Sequence, residues 1–257
     1  MALINILWVS LACIGAYFIG SIPFSVWIGK LATGKDLRNY NIGNPGGFNA
    51  MITYGPFVGL SITFLDIFKG ALTIALIDHI FSMSYFSTSS TNLWHVIAGI
   101  LGPVFCILGH NYSFWLKFKG GRGTGVLMGT LLYVNPLVYF TYMIITAIQI
   151  QGFKIPSRLS NVIVGFFFVP IAFFIPISPP WIFILESWTA GSPNFAFLTQ
   201  GLLSLAMWLA IIPKHWSGVI KAITGKGEDW SFSTNEGQKI DNDFQTKKEI
   251  VDMKTTE

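Results

Sequence analysis

Charged side chains are scarce in this chain, and this scarcity limits what it can fold into more than any other feature. Aspartate, glutamate, lysine and arginine make up 11% of its 257 residues, whereas hydrophobic residues make up 52%. Soluble domains usually carry about 25% charged residues, so this chain cannot cover a folded globule with polar surface. The composition excludes a water-soluble enzyme, a disordered protein and a secreted disulfide scaffold. It predicts an integral membrane protein with several spans.

Seven apolar runs could form these spans. A helix needs roughly 20 apolar residues to cross about 30 Å of hydrocarbon. The fourth and fifth runs are short and are separated by Asn135-Pro136, a dipeptide that favours a turn. They could be one kinked span or two short ones. The runs lie at about 4–29, 55–81, 93–112, 124–134, 137–151, 160–177 and 196–213.

The distribution of lysine and arginine decides between these alternatives. Of the 16 basic residues, 15 lie in the first, third and fifth connections or after the seventh run, and Lys69 lies inside a run. Basic loops remain in the cytoplasm. Seven spans place all 15 on one face, whereas a joined fourth span would move the last nine to the other face. We therefore predict an all-α membrane protein with seven transmembrane helices and glycine-rich cytoplasmic loops, its amino terminus outside and its carboxyl terminus inside.

One membrane domain, residues 1–224, is expected to precede a polar cytoplasmic tail, residues 225–257, that we predict to be disordered. The first run is not expected to be a cleaved signal peptide, because no basic residue precedes it. Cys13 and Cys106 lie in apolar runs, so neither a disulfide nor a metal framework is expected. The net charge of +4 suits an anionic leaflet or a phosphate-bearing substrate. The scattered basic residues do not support a nucleic-acid partner, and no cofactor is expected.

Two connections on the predicted cytoplasmic face are rich in glycine, at 36–49 and 117–125. Glycine lets backbone N–H groups approach an anion and reaches the positive φ values of anion-binding nests. The second loop runs straight into a span, and free N–H groups at a helix N-terminus favour phosphate. The spacing of a nucleotide P-loop is absent. Lipid-headgroup anchoring is the alternative, but two such loops on one face favour a phosphate pocket.

Histidines and intramembrane charges are the other candidates for chemistry. His110, beside the second loop, could donate to a phosphoryl oxygen or carry a proton, or it could be a satisfied polar residue. His215 is a weaker candidate, because its neighbours form an ordinary interfacial anchor. Asp66 and Lys69 are three residues apart and could pair on one helix face. Intramembrane charges often mark function, but we favour a buried structural pair here.

A series of motifs resembles the bacterial acyl-phosphate-dependent glycerol-3-phosphate acyltransferases of phospholipid synthesis. The likeness covers about residues 10–230. It implies transfer of a fatty acyl group from acyl phosphate to glycerol 3-phosphate in the inner (plasma) membrane, giving lysophosphatidic acid, without cofactor or metal. It also implies a partner enzyme that supplies acyl phosphate. The motifs are Gly20-Ser21-Ile22-Pro23-Phe24-Ser25, Gly43-Asn44-x-Gly46-x-x-Asn49, Asp66-x-x-Lys69-Gly70, Leu108-Gly109-His110 and Phe118-Lys119-Gly120-Gly121-Arg122-Gly123.

The resemblance implies roles for individual residues. His110, Arg122 and Asn49 would be catalytic. Arg122 stands where the family has lysine, which keeps the charge but changes the donor geometry. Arg38 could hold an anion, or Asp36 could merely hold the loop. The residues implied to bind substrate are Ser21, Arg38, Gly43, Asn44, Gly46, Lys119, Gly120, Gly121, Gly123 and His215.

Several positions depart from the family pattern, mainly on the glycerol 3-phosphate side. Ile42 replaces a serine, Phe48 a threonine and Ile52 an arginine, and the third motif keeps only its histidine, with Gly218 in place of asparagine. Hydrogen bonds to charged groups are worth about 1.5–3 kcal/mol each, so these losses weaken acceptor binding. A paralogue that binds acyl phosphate or a lipid headgroup without catalysis, or that uses another acceptor, is the first alternative. A small transporter is the second.

Overall fold

The structure, a computed structural model, describes residues 2–41, 43–82, 93–175 and 193–224. These residues form α-helices joined by short turns, which confirms the all-α class. Ile42, the connections at about 83–92 and 176–192, and the tail at 225–257 lie outside the described residues. The helices are α1 Ala2–Ser21, α2 Phe24–Thr33, α3 Gly47–Tyr54, α4 Pro56–Ser82, α5 Leu93–Asn111, α6 Thr124–Val134, α7 Pro136–Ala147, α8 Ser157–Ile163, α9 Gly165–Phe174 and α10 Pro193–Ile223.

Helix length and composition identify five candidate membrane spans within the described ranges. Helix α6 is apolar but has only 11 residues, which is about 16 Å at about 1.5 Å per residue. It ends at Asn135, whose backbone is extended and whose side chain accepts from the Val138 N–H to begin α7. Length alone therefore does not establish seven spans. The five candidates are Leu3–Thr33, Pro56–Phe81, Leu93–Leu116, Ser157–Phe174 and Phe197–Ile223.

Polar side chains lie between the helices, while many large apolar side chains face outwards. Asp66 and Lys69 are 6% and 2% exposed, whereas Phe57 and Phe174 are 87% and 78% exposed. This arrangement is typical of a helix bundle in lipid, where the outer surface needs no polar cover and intramembrane charges face the interior.

Glycines at two helix crossings bring backbones into direct contact. A Cβ at Gly109 of α5 would lie 2.0 Å from the Tyr17 carbonyl oxygen of α1, and one at Gly129 of α6 would lie 1.8 Å from the Ile67 carbonyl oxygen of α4. Small residues at such crossings let membrane helices pack closely. The α1–α5 crossing places the end of α5 beside the break between α1 and α2.

The first, third and fifth connections meet at one end of the bundle, which we call the basic end. The Ser113 hydroxyl, after α5, donates to the Ser21 carbonyl at 2.5 Å. The Arg158 Nη1, at the start of α8, donates to the Ser217 Oγ of α10 at 3.1 Å. His215 of α10 lies against the backbone of the loop before α6. The sequence grouped these connections by charge, and the fold brings them together.

Contacts at the opposite end join the other helix termini. The Tyr133 hydroxyl of α6 bonds to the Asp78 carboxylate near the end of α4 at 3.2 Å. The Asn135 amide donates to the Ile175 carbonyl at 2.8 Å and to the Gln200 Oε1 at 2.7 Å. Helix α6 therefore runs from the basic end to the opposite end, and α7 begins there.

Candidate active site

A narrow cavity lies at the basic end, against the break between α1 and α2. Pro23 lacks a backbone N–H and helps to end α1. The cavity combines apolar walls with a carboxylate, an ammonium group, an imidazole and three hydroxyl groups. It is lined by Gly20, Ser21, Ile22, Pro23, Phe24, Ser25, Pro45, Asp66, Lys69, His110, Ser113, Leu116 and Gly121.

His110 and Gly121, both singled out from the sequence, meet at this cavity. The His110 side chain is 8% exposed, and its Nδ1 lies 3.6 Å from the Asp66 Oδ1. A Cβ at Gly121 would lie 2.1 Å from the His110 Nε2. Glycine at 121 therefore leaves the space that the imidazole ring occupies. The ring is held between a carboxylate and the glycine-rich loop, a suitable position for a proton carrier.

Lys69 forms the predicted ion pair with Asp66, at 2.8 Å. Its Nζ also donates to the Gly20 and Ile22 carbonyls, at 3.2 and 3.1 Å. These are carbonyl oxygens at the end of α1 that a continuing helix would have satisfied. The pair is structural, as the sequence favoured, because it ties α4 to the α1–α2 break. It also forms the cavity wall beside His110.

The first glycine-rich loop is organised largely by its own side chains. The Asn49 amide is 1% exposed and donates to the carbonyls of Leu37, Tyr40 and Asn44, at 3.1, 3.2 and 2.8 Å. This corrects the catalytic role expected for Asn49, because the amide hydrogens are used to hold the loop. The Gly43 N–H donates to the Tyr40 carbonyl at 2.9 Å, so Gly43 does not offer an amide to substrate.

The Arg38 side chain forms a salt bridge with Asp36 and does not line the cavity. Its Nε and Nη2 donate to the two carboxylate oxygens at 3.0 and 2.8 Å, and Asp36 also accepts from the Arg38 backbone N–H. These hydrogen bonds hold the pKa of the Asp36 carboxyl well below its usual range. The structure therefore favours the alternative that Asp36 holds the loop, and Arg38, expected to bind substrate, does not line the cavity.

Other parts of the first loop lie closer to the cavity. Pro45 lines it and accepts a hydrogen bond from the Ser25 hydroxyl at 3.0 Å. The Asn44 Oδ1 is buried and has no hydrogen-bond partner among the described residues, and its side chain packs on Gly46. Ser21, implied to bind substrate, lines the cavity, and its hydroxyl donates to the Gly109 carbonyl at 3.3 Å and accepts from the Phe114 N–H at 3.4 Å.

The second glycine-rich loop folds back onto the end of α5. The Gly120 and Gly121 N–H groups donate to the carbonyls of Asn111 and His110, at 3.2 and 2.9 Å. The expectation that these two amides cradle phosphate is therefore corrected, because their hydrogen bonds are already made within the chain. Lys119 is exposed at the surface of this loop and does not line the cavity.

The start of α6 offers the backbone amides that the loop does not. Gly123, with φ of 79°, precedes the helix, and no side chain caps its first turn. The first N–H groups of a helix lack intrahelical partners. A Cβ at Gly125 would lie 2.8 Å from the Asp66 Cβ, so this turn rests on the wall of the cavity. Arg122, which is half-buried, immediately precedes it.

A second polar cluster lies where the loop meets α8 and α10. The His215 ring is 1% exposed and lies against the backbone of Arg122 and Arg158, yet neither ring nitrogen makes a well-formed hydrogen bond with the described residues. The Asn111 Oδ1 is also buried without a partner there. The sequence named His215 and Arg122 but missed Arg158, whose signal was only its place in a basic connection.

Two of the departures from the family pattern lie away from the cavity. Phe48 and Ile52 on α3 are 43% and 46% exposed, so they do not intrude on the polar site. Ile42 is outside the described residues.

Comparison with known proteins agrees with this picture. The family described as "Glycerol-3-phosphate acyltransferase" matches residues 10–225. Two curated relatives carry the name glycerol-3-phosphate acyltransferase. The one from Staphylococcus aureus (strain Newman) is 38% identical over 149 residues, covering 57% of this chain and 71% of the relative. The one from Bacillus subtilis (strain 168) is 36% identical over 168 residues, covering 65% and 79%.

Solved structures of an integral membrane glycerol 3-phosphate acyltransferase, PlsY (YgiH), are also similar. Its glycerol 3-phosphate form has a TM-score of 0.63 and 25% sequence identity, covering 87% of this chain and 96% of that chain. Its lysophosphatidic acid form has a TM-score of 0.62 at 23% identity, covering 90% and 98%, and shows the likeness of fold.

The helical bundle, its outward-facing apolar surface and its buried polar site define an integral membrane protein with a polar cavity between its helices. The match over residues 10–225 places it more closely: the chain belongs to the glycerol-3-phosphate acyltransferase family. The resemblance seen in the sequence is confirmed, and with it the class of membrane acyltransferase in lipid synthesis.

Proposed function

We propose that this chain transfers a fatty acyl group from acyl phosphate to the first hydroxyl of glycerol 3-phosphate at the basic end of the bundle. The hydroxyl oxygen bonds to the acyl carbonyl carbon, the bond from that carbon to the phosphate oxygen breaks, and inorganic phosphate leaves. The product is lysophosphatidic acid. The observation that carries the proposal is the buried His110 imidazole, held between Asp66 and Gly121 at the cavity wall.

His110 accepts the proton of the attacking hydroxyl. A positioned imidazole contributes typically about 10²–10⁴-fold to such a transfer. The Asp66 carboxylate lies 3.6 Å from Nδ1 on the other side of the ring. The acyl phosphate is already activated, so the protein mainly positions two substrates and stabilises negative charge.

The start of α6 binds the phosphate of the donor. Its first backbone N–H groups, the positive end of the helix dipole and the Arg122 guanidinium favour an anion there. Gly123 opens this turn. Lys119 adds positive field at the surface, and Asn44 and Gly46 flank Pro45, which lines the cavity from the first loop. The acyl tail remains in the bilayer beside the helices.

The chain crosses the membrane seven times, with its amino terminus outside and its carboxyl terminus in the cytoplasm of the inner (plasma) membrane. The contacts of Arg158 at the basic end and of Asn135 at the opposite end support α6 and α7 as separate crossings. Residues 1–224 form the membrane domain and 225–257 the cytoplasmic tail. Acyl phosphate comes from a partner enzyme.

The test is an assay of the purified full-length protein in lipid with acyl phosphate and glycerol 3-phosphate. We expect lysophosphatidic acid and inorganic phosphate in equal amounts, and no product from an acyl thioester donor. Removing one charge-stabilising donor from an active site typically lowers kcat about 10²–10³-fold, so Arg122→Ala should lose activity on that scale. Lys117→Gln removes an exposed charge from the same connection and should retain it.

Three outcomes would contradict the proposal. The first is an acyl thioester that serves as well as acyl phosphate, which would contradict the assignment of acyl phosphate as the donor. The second is full activity in Arg122→Ala, which would exclude the phosphate site. The third is tight binding of acyl phosphate without turnover on any acceptor, which would support the non-catalytic paralogue instead.

A further inference from the structure

Arg158 and Gly218 fit together where α8 meets α10. A Cβ at Gly218 would lie 2.2 Å from the Arg158 Cβ, 2.5 Å from its Cδ and 2.9 Å from its Cγ. Any larger residue at 218 would have to push the arginine stem aside. The Arg158 Nη1 donates to the Ser217 Oγ at 3.1 Å, one residue before this contact. The absence of a side chain at 218 therefore sets the position of the guanidinium.

The surroundings of this guanidinium suit an anion. The His215 ring lies against the Arg122 and Arg158 backbones, is 1% exposed and lacks a well-formed hydrogen bond to the described residues. The Asn111 Oδ1, 0% exposed, is also without a partner there and faces Gly123. A buried polar atom without a partner costs about 1–3 kcal/mol. The Asn111 Oδ1 can accept a hydrogen bond from a hydroxyl of a ligand, and the Arg122 and Arg158 charges near His215 favour an anion. The cluster therefore suits a ligand that carries both a hydroxyl and a phosphate.

Exposure of its outer residues distinguishes this cluster from the cavity at His110. Ser217 is exposed and Arg158 is half-buried, whereas His110 and Asp66 are buried. A water-soluble phosphate monoester can approach the cluster from the cytoplasmic side, while a lipid-tailed donor reaches its site from between the helices. Arg122 connects the two places, because Gly121 packs on His110 and the Arg122 backbone contacts His215.

We propose that Arg158 binds the phosphate of the acceptor, with its side chain placed by Gly218 and Ser217. This rests on the proposed function and deepens it by naming a specificity-determining residue. Arginine binds phosphate through a planar fork of donors. An asparagine at position 218, as in the family pattern, would overlap the Arg158 side chain in its present position. The chain thus supplies a cation from α8 beside position 218, where the donor of the family pattern is absent.

The experiment compares the KM values of the two substrates in Arg158→Gln. Loss of charge-assisted hydrogen bonds should raise the KM for glycerol 3-phosphate roughly 10- to 100-fold, while the KM for acyl phosphate stays within about twofold of the wild-type value. Arg158→Lys should be intermediate, because it keeps the charge without the fork. Gly218→Asn should act like Arg158→Gln, since it displaces the side chain without removing it.

A phosphate-free acceptor and a matched charge variant separate binding from mere structure. The preference of the wild-type protein for glycerol 3-phosphate over glycerol should fall in Arg158→Gln and persist in Lys154→Gln, which removes an exposed charge four residues earlier. A raised KM for acyl phosphate alone would assign Arg158 to the donor. Unchanged KM values for both substrates, or equal losses with glycerol and glycerol 3-phosphate, would reduce it to a structural role.

Direct binding keeps this inference distinct from the proposed reaction. Glycerol 3-phosphate, but not glycerol, should raise the unfolding temperature of the wild-type protein, because a ligand of the folded state stabilises it. The shift should be lost in Arg158→Gln and kept in Lys154→Gln. Binding that depends on Arg158 in a protein without turnover would overturn the proposed reaction and support the site. Turnover with binding independent of Arg158 would overturn the site alone.

Discussion

Helices α4 and α5 carry two carboxylate–imidazole pairs, one at each end of the bundle. At the basic end, the His110 Nδ1 lies 3.6 Å from the Asp66 Oδ1. At the opposite end, the His95 Nε2 lies 3.6 Å from the Asp78 Oδ1. All four side chains are buried. The same residue types at the same separation therefore occur in two settings of one molecule.

The neighbours of each pair make the difference. Asp66 shares its carboxylate with the Lys69 ammonium, and His110 packs under the Gly121 backbone at a cavity. Near Asp78 there is instead the Tyr133 hydroxyl, and the His95 ring stacks on Phe81 with centroids 5.9 Å apart. Neither Asp78 nor His95 lines the cavity. A buried pair becomes a candidate for catalysis only where a substrate can reach it.

The sharpest test of this contrast replaces each histidine by alanine. Loss of a general base typically lowers kcat about 10²–10⁴-fold, so His110→Ala should lose activity on that scale while remaining folded. His95→Ala should lower the unfolding temperature, because it leaves a cavity beside Phe81, and should keep kcat within a few-fold. Assays of acyl transfer and thermal unfolding in the same detergent measure both. Equal losses of activity from the two substitutions would remove the distinction between the ends.

The two carboxylates should differ in stability. Asp66→Asn leaves the buried Lys69 ammonium without its counter-ion, a change that typically costs about 3–5 kcal/mol. Asp78→Asn replaces the charged acceptor of the Tyr133 hydroxyl by a neutral one, and the difference between the two kinds of hydrogen bond is about 1 kcal/mol. Denaturant unfolding in mixed micelles measures the free energy of unfolding for each. A larger loss in Asp78→Asn would mean that Lys69 does not depend on Asp66.

Replacement of Gly121 is expected to have the smallest effect of the three tests. Gly121→Ala places a methyl group 2.1 Å from the His110 Nε2, and such overpacking typically costs about 1–3 kcal/mol. The ring must move, so kcat should fall roughly tenfold, since 1.4 kcal/mol corresponds to a factor of ten. Gly15→Ala is the matched control, because a Cβ there meets nothing within 4 Å. Full activity in Gly121→Ala would show that the position of the ring is not critical.

Much of the architecture could be predicted from the sequence because it depends on composition. The shortage of charge required a membrane environment, and the grouping of basic residues correctly brought Arg122 and Arg158 to one end, where both lie beside His215. The prediction of seven spans went further than helix length supports, because α6 has only 11 residues. Whether α6 crosses the membrane depends on which helices its two ends contact. Those contacts join residues that are far apart in the sequence.

Only part of the candidate site could be predicted from the sequence, for a similar reason. His110 and Gly121 were named correctly as neighbours, because both adjoin the same short loop. The prediction that the Gly43 and Gly121 amides bind phosphate was wrong, because a glycine-rich segment can turn its N–H groups towards a ligand or towards its own carbonyls. Only the path of the backbone decides between these, as it also decided that Asn49 holds the first loop.

The sequence by itself determined the medium in which this protein folds, the family to which it belongs and the common end of the bundle at which Arg122 and Arg158 lie, since these follow from residue types and their order along the chain. The tertiary structure alone decided which polar groups are hydrogen-bonded within the protein and which are available to a ligand. A hydrogen bond depends on distances of a few tenths of an ångström between groups far apart in the chain. The contact between Arg158 and Gly218, 60 positions apart in the sequence, depends on the packing of two helices.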